Sequence, residues 1–239
     1  MAALTIPSRF NGPPRSANGG YTCGTIAREL GWNAAEVSLR APLPLDQELE
    51  LRERADGAYE LMHDDTVIAV ARHLEALDLE VQVSATPAEA ADATDRGYER
   101  WSAEHPFPYC FGCGPKREPG DGLRIFPGPL PGGLLCAAEW TPHRWLAEKD
   151  GVLAPEFAWT ALDCASSAPL ANYGEGPPMV LGRLAAQVVG EVRAGRPHAI
   201  VSWPIDRDGR KRTGGAALLD ERGAVLGRSR ALWIELKSE

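Results

Sequence analysis

Leu61-Met62-His63-Asp64-Asp65 runs into Thr66-Val67-Ile68-Ala69-Val70-Ala71-Arg72. Later in the chain, Leu218-Leu219-Asp220-Glu221-Arg222-Gly223 runs into Ala224-Val225-Leu226-Gly227-Arg228-Ser229-Arg230. Each is an extended run, an acidic turn and a second extended run, the pattern of a β-hairpin. What precedes them also repeats. In the first half a short helical stretch, 19–30, ends at Gly31, and in the second half a longer one, 155–170, carries Pro155 near its start. Each helix is followed by several alternating extended runs. The hairpins are offset by 158 positions (67 to 225) and the helices by 136 (19 to 155), so the second copy carries about 22 extra residues. One helix and several antiparallel strands form a unit only if the helix lies on a curved sheet and each buries one face of the other. Two such units with a continuous sheet would remove two open edges.

Two segments interrupt the repeat. Residues 84–105 read as a polar linker helix with Thr86 as its cap and Pro87 in its first turn. Residues 106–133 are dense in Gly and Pro and predict loops and turns, with one short extended piece at Leu123–Phe126. The resulting division is 1–83, a linker at 84–106, and 107–239.

The chain of 239 residues holds 33 Asp+Glu against 25 Lys+Arg, a net charge of −8. That balance argues against a general nucleic-acid binder, which needs clustered cations. No charged-then-apolar leader and no stretch of about 18 apolar residues is visible, so neither secretion nor a membrane span is expected. Five cysteines, an odd number, read as reduced thiols and predict a cytoplasmic protein.

The second helix carries a residue that its surroundings disfavour. At 100° per residue Phe157, Ala161, Cys164 and Ala168 share one stripe, with Trp159, Leu162 and Leu170 opposite, so the helix is buried. Asp163 lies between Leu162 and Cys164. An unpaired buried carboxylate is costly unless it points to solvent, bonds a backbone N–H, or does chemistry. Setting Gly19-Gly20 against Pro155-Glu156 puts Ala27 opposite Asp163, so the first copy lacks the acid.

With these features the chain resembles the hotdog-fold acyl-CoA thioesterases, of the phenylacetyl-CoA thioesterase-like type. The resemblance rests on Asn18-Gly19-Gly20, close to a His-Gly-Gly helix start; on Pro155 through Asp163, a helix with its acid at the family spacing; and on Cys110-Phe111-Gly112-Cys113-Gly114-Pro115 ahead of Gly122-Leu123-Arg124-Ile125. It implies an α+β fold, a tandem (double) hotdog in which each central helix is wrapped by a curved antiparallel sheet, the first copy having a degenerate site. It also implies hydrolysis of acyl-CoA or related thioesters. Asp163 would be base or nucleophile, the Glu156 and Phe157 amides the oxyanion donors, and Thr160 a residue positioning water. Pro155 has no N–H, and the better Gly-Gly turn lies in the half without the acid, so a composite site at the seam is the other arrangement.

Asn18, Gly19, Gly20 and Trp159 are expected to line the substrate site, and Arg210, Lys211 and Arg212 to hold nucleotide phosphates. The rival for that basic run is a solvated hairpin tip balanced by Asp206 and Asp208. Cys110-x-x-Cys113 supplies two of four zinc ligands; His105 or His143 would have to complete a site. Buried loop thiols are the simpler reading, so no metal is expected, Cys164 is read as packing, and no cofactor is expected beyond coenzyme A within the substrate. Trp101, Trp140, Trp145, Trp159 and Trp203 are candidates for an acyl tunnel or plain core. The expected partners are a small thioester and a second copy, as a homodimer, with no nucleic acid or membrane. The alternative is a non-catalytic acyl or acyl-CoA binder, or a hydratase-like relative, since fold does not fix chemistry.

Overall fold

The computed structural model describes residues 2–170 and 177–237. The first half comprises β1 (Ala2–Thr5), α1 (Gly19–Glu29), β2 (Ala34–Leu39), β3 (Glu48–Glu53), β4 (Tyr59–His63) and β5 (Thr66–His73). Then come α2 (Pro87–Glu104), β6 (Gly128–Pro129), β7 (Cys136–Trp140) and α3 (Pro155–Ser167). The chain closes with β8 (Met179–Val188), β9 (His198–Asp208), β10 (Lys211–Leu219) and β11 (Val225–Glu235).

The strands form one antiparallel sheet in the order β1-β3-β4-β5-β2-β8-β11-β10-β9-β7-β6. The halves join where β2 pairs with β8, with Ala35 opposite Ala186 and Val37 opposite Leu184. Alternation along the strands sends Leu49, Leu51, Ala69, Ala71, Leu184, Ile200, Ala216 and Leu218 to the inner face. There they meet α1 and α3. On the outer face Ala137, Val201, Trp203, Ala217 and Leu219 are covered by Ala90 and Ala93 of α2. The C-terminal half therefore has three layers: inner helix, sheet, outer helix.

Each helix start has a local cause. Asn18 caps α1, its Oδ1 accepting the Tyr21 N–H at 2.8 Å. Thr86 and Glu89 form a reciprocal capping box at the start of α2. α3 opens on Pro155, whose missing N–H costs nothing at that position. Among the described residues no helix is long and apolar enough to cross a membrane.

Three local expectations are corrected. Leu123–Phe126 is not a strand; pairing in that region falls on Gly128–Pro129 and on Cys136–Trp140. β1, paired with β3 at one side, has β7, paired with β9, as its counterpart, and among the described strands β6 alone lies outside the repeat. α1 stops at Glu29 rather than at 30. α3 stops at Ser167 rather than at 170, because the chain turns through 168–170.

Candidate active site

α1 and α3 lie side by side in opposite directions, and glycine sets their separation. A Cβ on Gly20 would fall 2.4 Å from Asp163 Cβ, and one on Gly24 would fall 2.5 Å from Glu156 Cα. The start of α1 is thereby pressed against the later part of α3. Asp163 is the ninth of thirteen residues in α3, so its partner is the other helix's N-terminus, not its own.

That partner is specific. The Gly20 N–H donates to Asp163 Oδ2 at 2.8 Å. Asp163 is 2% exposed, and its Oδ1 is buried with no partner among the described residues. Burial pushes the Asp163 carboxyl up to about 8, against the pull of the Gly20 N–H. The Gly19 N–H has no acceptor among the described residues, as expected for the first residue of a helix.

Asn18, Gly19 and Asp163 line one narrow cavity of about 100 Å³, together with Trp101, Leu181 and Trp233. Cys110, Cys113 and Cys164 line the same cavity. Their sulfurs all lie within 4.8 Å of one another. Asn18 Nδ2 points at Cys110 Sγ and Cys164 Sγ, at 3.6 and 3.7 Å. From the sequence Cys110 pairs with Cys113, and Cys164 reads as packing. Only the fold, which lays the 110–114 turn against α3, brings the third thiol in.

The structure separates several residues that the sequence analysis grouped. Glu156 and Phe157 lie about two turns, roughly 10 Å, from Asp163 along α3. The Phe157 N–H is engaged, bonding Ala154 O at 3.1 Å, and the Glu156 N–H lies toward its own carboxylate, whose pKa it lowers. The Glu156 carboxylate pairs with Arg28 at 2.7 Å, and Arg28 also pairs with Glu148. Thr160 Oγ1 donates back to Glu156 O at 2.7 Å, and Ser166 Oγ to Asp163 O at 2.7 Å. Trp159 and Arg28 face a second cavity of about 640 Å³ at the opposite ends of the two helices. By the repeat this is the counterpart site, with Ala27 in place of the acid.

Arg210, Lys211 and Arg212 do not line the Asp163 cavity. Arg212 pairs with Glu235, and Arg210 Nη1 donates to Glu235 O at 2.7 Å. Their hairpin nevertheless lies one strand beyond β11, whose Glu235 is opposite Met179 at the cavity wall. His143 is exposed and accepts the Trp145 N–H, away from the thiols. Trp101 lines the cavity, whereas Trp203 lies under α2. Trp233, absent from the expected set, lines the cavity and donates to Ser166 Oγ at 2.9 Å.

The antiparallel sheet with α1 and α3 paired on its inner face is a hotdog-like α+β fold, of the kind the sequence resemblance implied. Three solved structures match it over nearly the whole chain. The TesB protein of Mycobacterium avium subspecies paratuberculosis shares 10% identity, covering 98% of this chain and 92% of that one, with a TM-score of 0.63. A candidate thioesterase from Novosphingobium aromaticivorans shares 12%, covering 98% and 95%, with a TM-score of 0.60. A candidate thioesterase II from Thermobifida fusca shares 16%, covering 99% and 93%, with a TM-score of 0.57. At such identities the likeness is one of fold. No family model and no curated protein matches the sequence.

Proposed function

We propose that the chain is a double hotdog and hydrolyses acyl-CoA or related thioesters at one composite site, with Asp163 from one half and the Asn18-Gly19-Gly20 turn from the other. The observation that carries this reading is the Gly20 N–H bond to Asp163, which fixes a buried carboxylate beside a helix start in a cavity. Hydrolysis needs a base or nucleophile near the carbonyl carbon and a donor for the oxyanion. Asp163 supplies the first. The Gly19 N–H, without an acceptor among the described residues and at the positive end of α1, supplies the second. This assigns to Gly19 the part that the sequence analysis gave to Glu156 and Phe157. Thr160 then acts as a helix hydroxyl rather than a water-positioning residue. Arg210 and Lys211, on the hairpin one strand beyond β11, take the nucleotide end of coenzyme A, with Arg212 bracing Glu235.

The test is Asp163→Asn on a panel of acyl-CoA thioesters with free-thiol detection. The amide keeps the shape and removes the base, so turnover should fall by about 10²–10⁴-fold. The fold should survive, because no buried charge is left unpaired. Parent-level turnover in the variant would make Asp163 structural. Binding of coenzyme A esters without hydrolysis by the parent would instead favour the non-catalytic acyl-CoA binder.

A further inference from the structure

We propose that Cys110, Cys113 and Cys164 form a zinc site beside Asp163, three thiolates holding one Zn²⁺ whose fourth position opens on the shared cavity. The proposal rests on thiol geometry and is independent of the thioesterase reading.

The 110–114 turn is shaped to aim sulfur. The Gly114 N–H closes the turn on Cys110 O at 2.8 Å, which leaves the backbone N–H groups of Gly112 and Cys113 on the side of Cys110 Sγ, where they favour the thiolate. N–H donors of this kind stabilise a thiolate and hold it in place. Gly112 lets the turn approach α3, since a Cβ there would fall 2.4 Å from Cys164 Sγ. Cys110 Sγ and Cys164 Sγ are 3.9 Å apart. Tetrahedral zinc with bonds of about 2.3 Å places its sulfurs roughly 3.8 Å apart. That pair already stands at ligand spacing, and Cys113 Sγ lies within 4.8 Å of both.

The rest of the shell fits the charge. Three thiolates on Zn²⁺ leave one net negative charge, and the Asn18 amide adds to the donors facing the sulfurs. His105 Nε2 is 3.3 Å from Cys113 Sγ, while its Nδ1 accepts the Phe107 N–H at 2.9 Å. With Nδ1 as acceptor, a neutral ring carries its proton on Nε2. His105 is therefore a donor to the sulfur rather than the fourth ligand. Arg117 is 8% exposed and clamps the loop by bonding Tyr109 O at 2.8 Å, Arg9 O at 2.6 Å and Asn11 Oδ1 at 2.5 Å. Soft thiolates favour zinc over the hard divalent ions.

The test is a metal titration of the full chain, reduced, chelator-treated and kept anaerobic. Co²⁺ should bind at one equivalent with thiolate-to-cobalt charge-transfer absorption, release protons, and be displaced by Zn²⁺. Cys110→Ser and Cys164→Ser should each lose that absorption, while Cys23→Ala should keep it. If the serine variants fail to fold, X-ray absorption at the zinc edge of the loaded parent decides. Three sulfur neighbours at about 2.3 Å support the site. Fewer than three sulfurs, no thiolate absorption with cobalt, or a Cys110–Cys164 disulfide that takes up no metal after reduction would overturn it.

Discussion

By the repeat, Glu156 stands in α3 where Gly20 stands in α1, and the substitution changes the chemistry of that end. Its side chain is 7% exposed and its Oε2 has no partner among the described residues. Burial pushes its carboxyl above the ordinary glutamate value, by more than its own backbone N–H and Arg28 pull it down. Arg28 fares differently. Burial works against its charge, but Glu156 and Glu148 outweigh that and hold its pKa above the usual one. The larger burial is on the glutamate, so its direction governs the pair. A carboxyl raised in the native state keeps its proton where the unfolded chain has released it. Its contribution is therefore fully present at acid pH and is lost as pH rises from the ordinary glutamate range through the native value. Glu156→Gln has no such slope. Its melting temperature should gain on the parent between pH 4 and pH 7, at about 2–4 °C per kcal/mol for a chain of this size. A gap that stays constant with pH would show that Arg28 fully compensates the burial. Asp163 could be singled out from sequence because it interrupts an apolar helix. Its Gly20 partner could not, because it depends on two helices 143 positions apart running in opposite directions.

At the scale of elements, the contact between α1 and α3 depends on two residues without side chains. Gly20 and Gly24 are one turn apart and present a flat strip to α3. Gly24→Ala would drive a methyl to within 2.5 Å of Glu156 Cα and 2.8 Å of Trp159 Cβ. The methyl cannot be absorbed by a flexible chain end, so the helices must shift. The cost should be about 1–3 kcal/mol, which a thermal melt will show as a lowered midpoint. An unchanged midpoint would mean that the helices are not in close contact. Strands are readable where they alternate, as on β11, where Ser229, Ala231 and Trp233 are buried between the more exposed Arg228, Arg230 and Leu232. β7 was missed because Cys136, Ala137 and Ala138 are all buried, one face under α2 and the other toward the core, which erases the alternation. β6 was missed because two residues ending in proline carry no period. The 110–114 turn was readable as a turn. Its destination against Cys164 was not, since nothing local to either segment encodes their meeting.

For the whole molecule, the expected homodimer rests on an exposed outer sheet face or helix edge, yet the outer surface gives association little to use. α2 already covers the apolar outer patch of the C-terminal half. The outer face of the N-terminal half carries charge, with Arg52–Glu50, Arg54–Glu60, Arg54–Asp56 and Arg72–Asp56 as ion pairs. Each such exposed pair adds little stability, but together they keep the face hydrated. At the join, Glu36 and Arg183 continue the polar surface at 3.7 Å. The sheet edges are short: four residues in β1, and two in β6, one of them Pro129. Short and proline-bearing edges resist strand pairing with another chain. The contact that a dimer of single units would make, helix beside helix and sheet joined to sheet, is made here within one chain through α1–α3 and β2–β8. Light scattering at micromolar concentration should therefore return about 25.7 kDa, the mass of one chain. A mass near twice that value, holding on dilution and in high salt, would overturn this. It would place an apolar interface on a surface where the described side chains are largely charged.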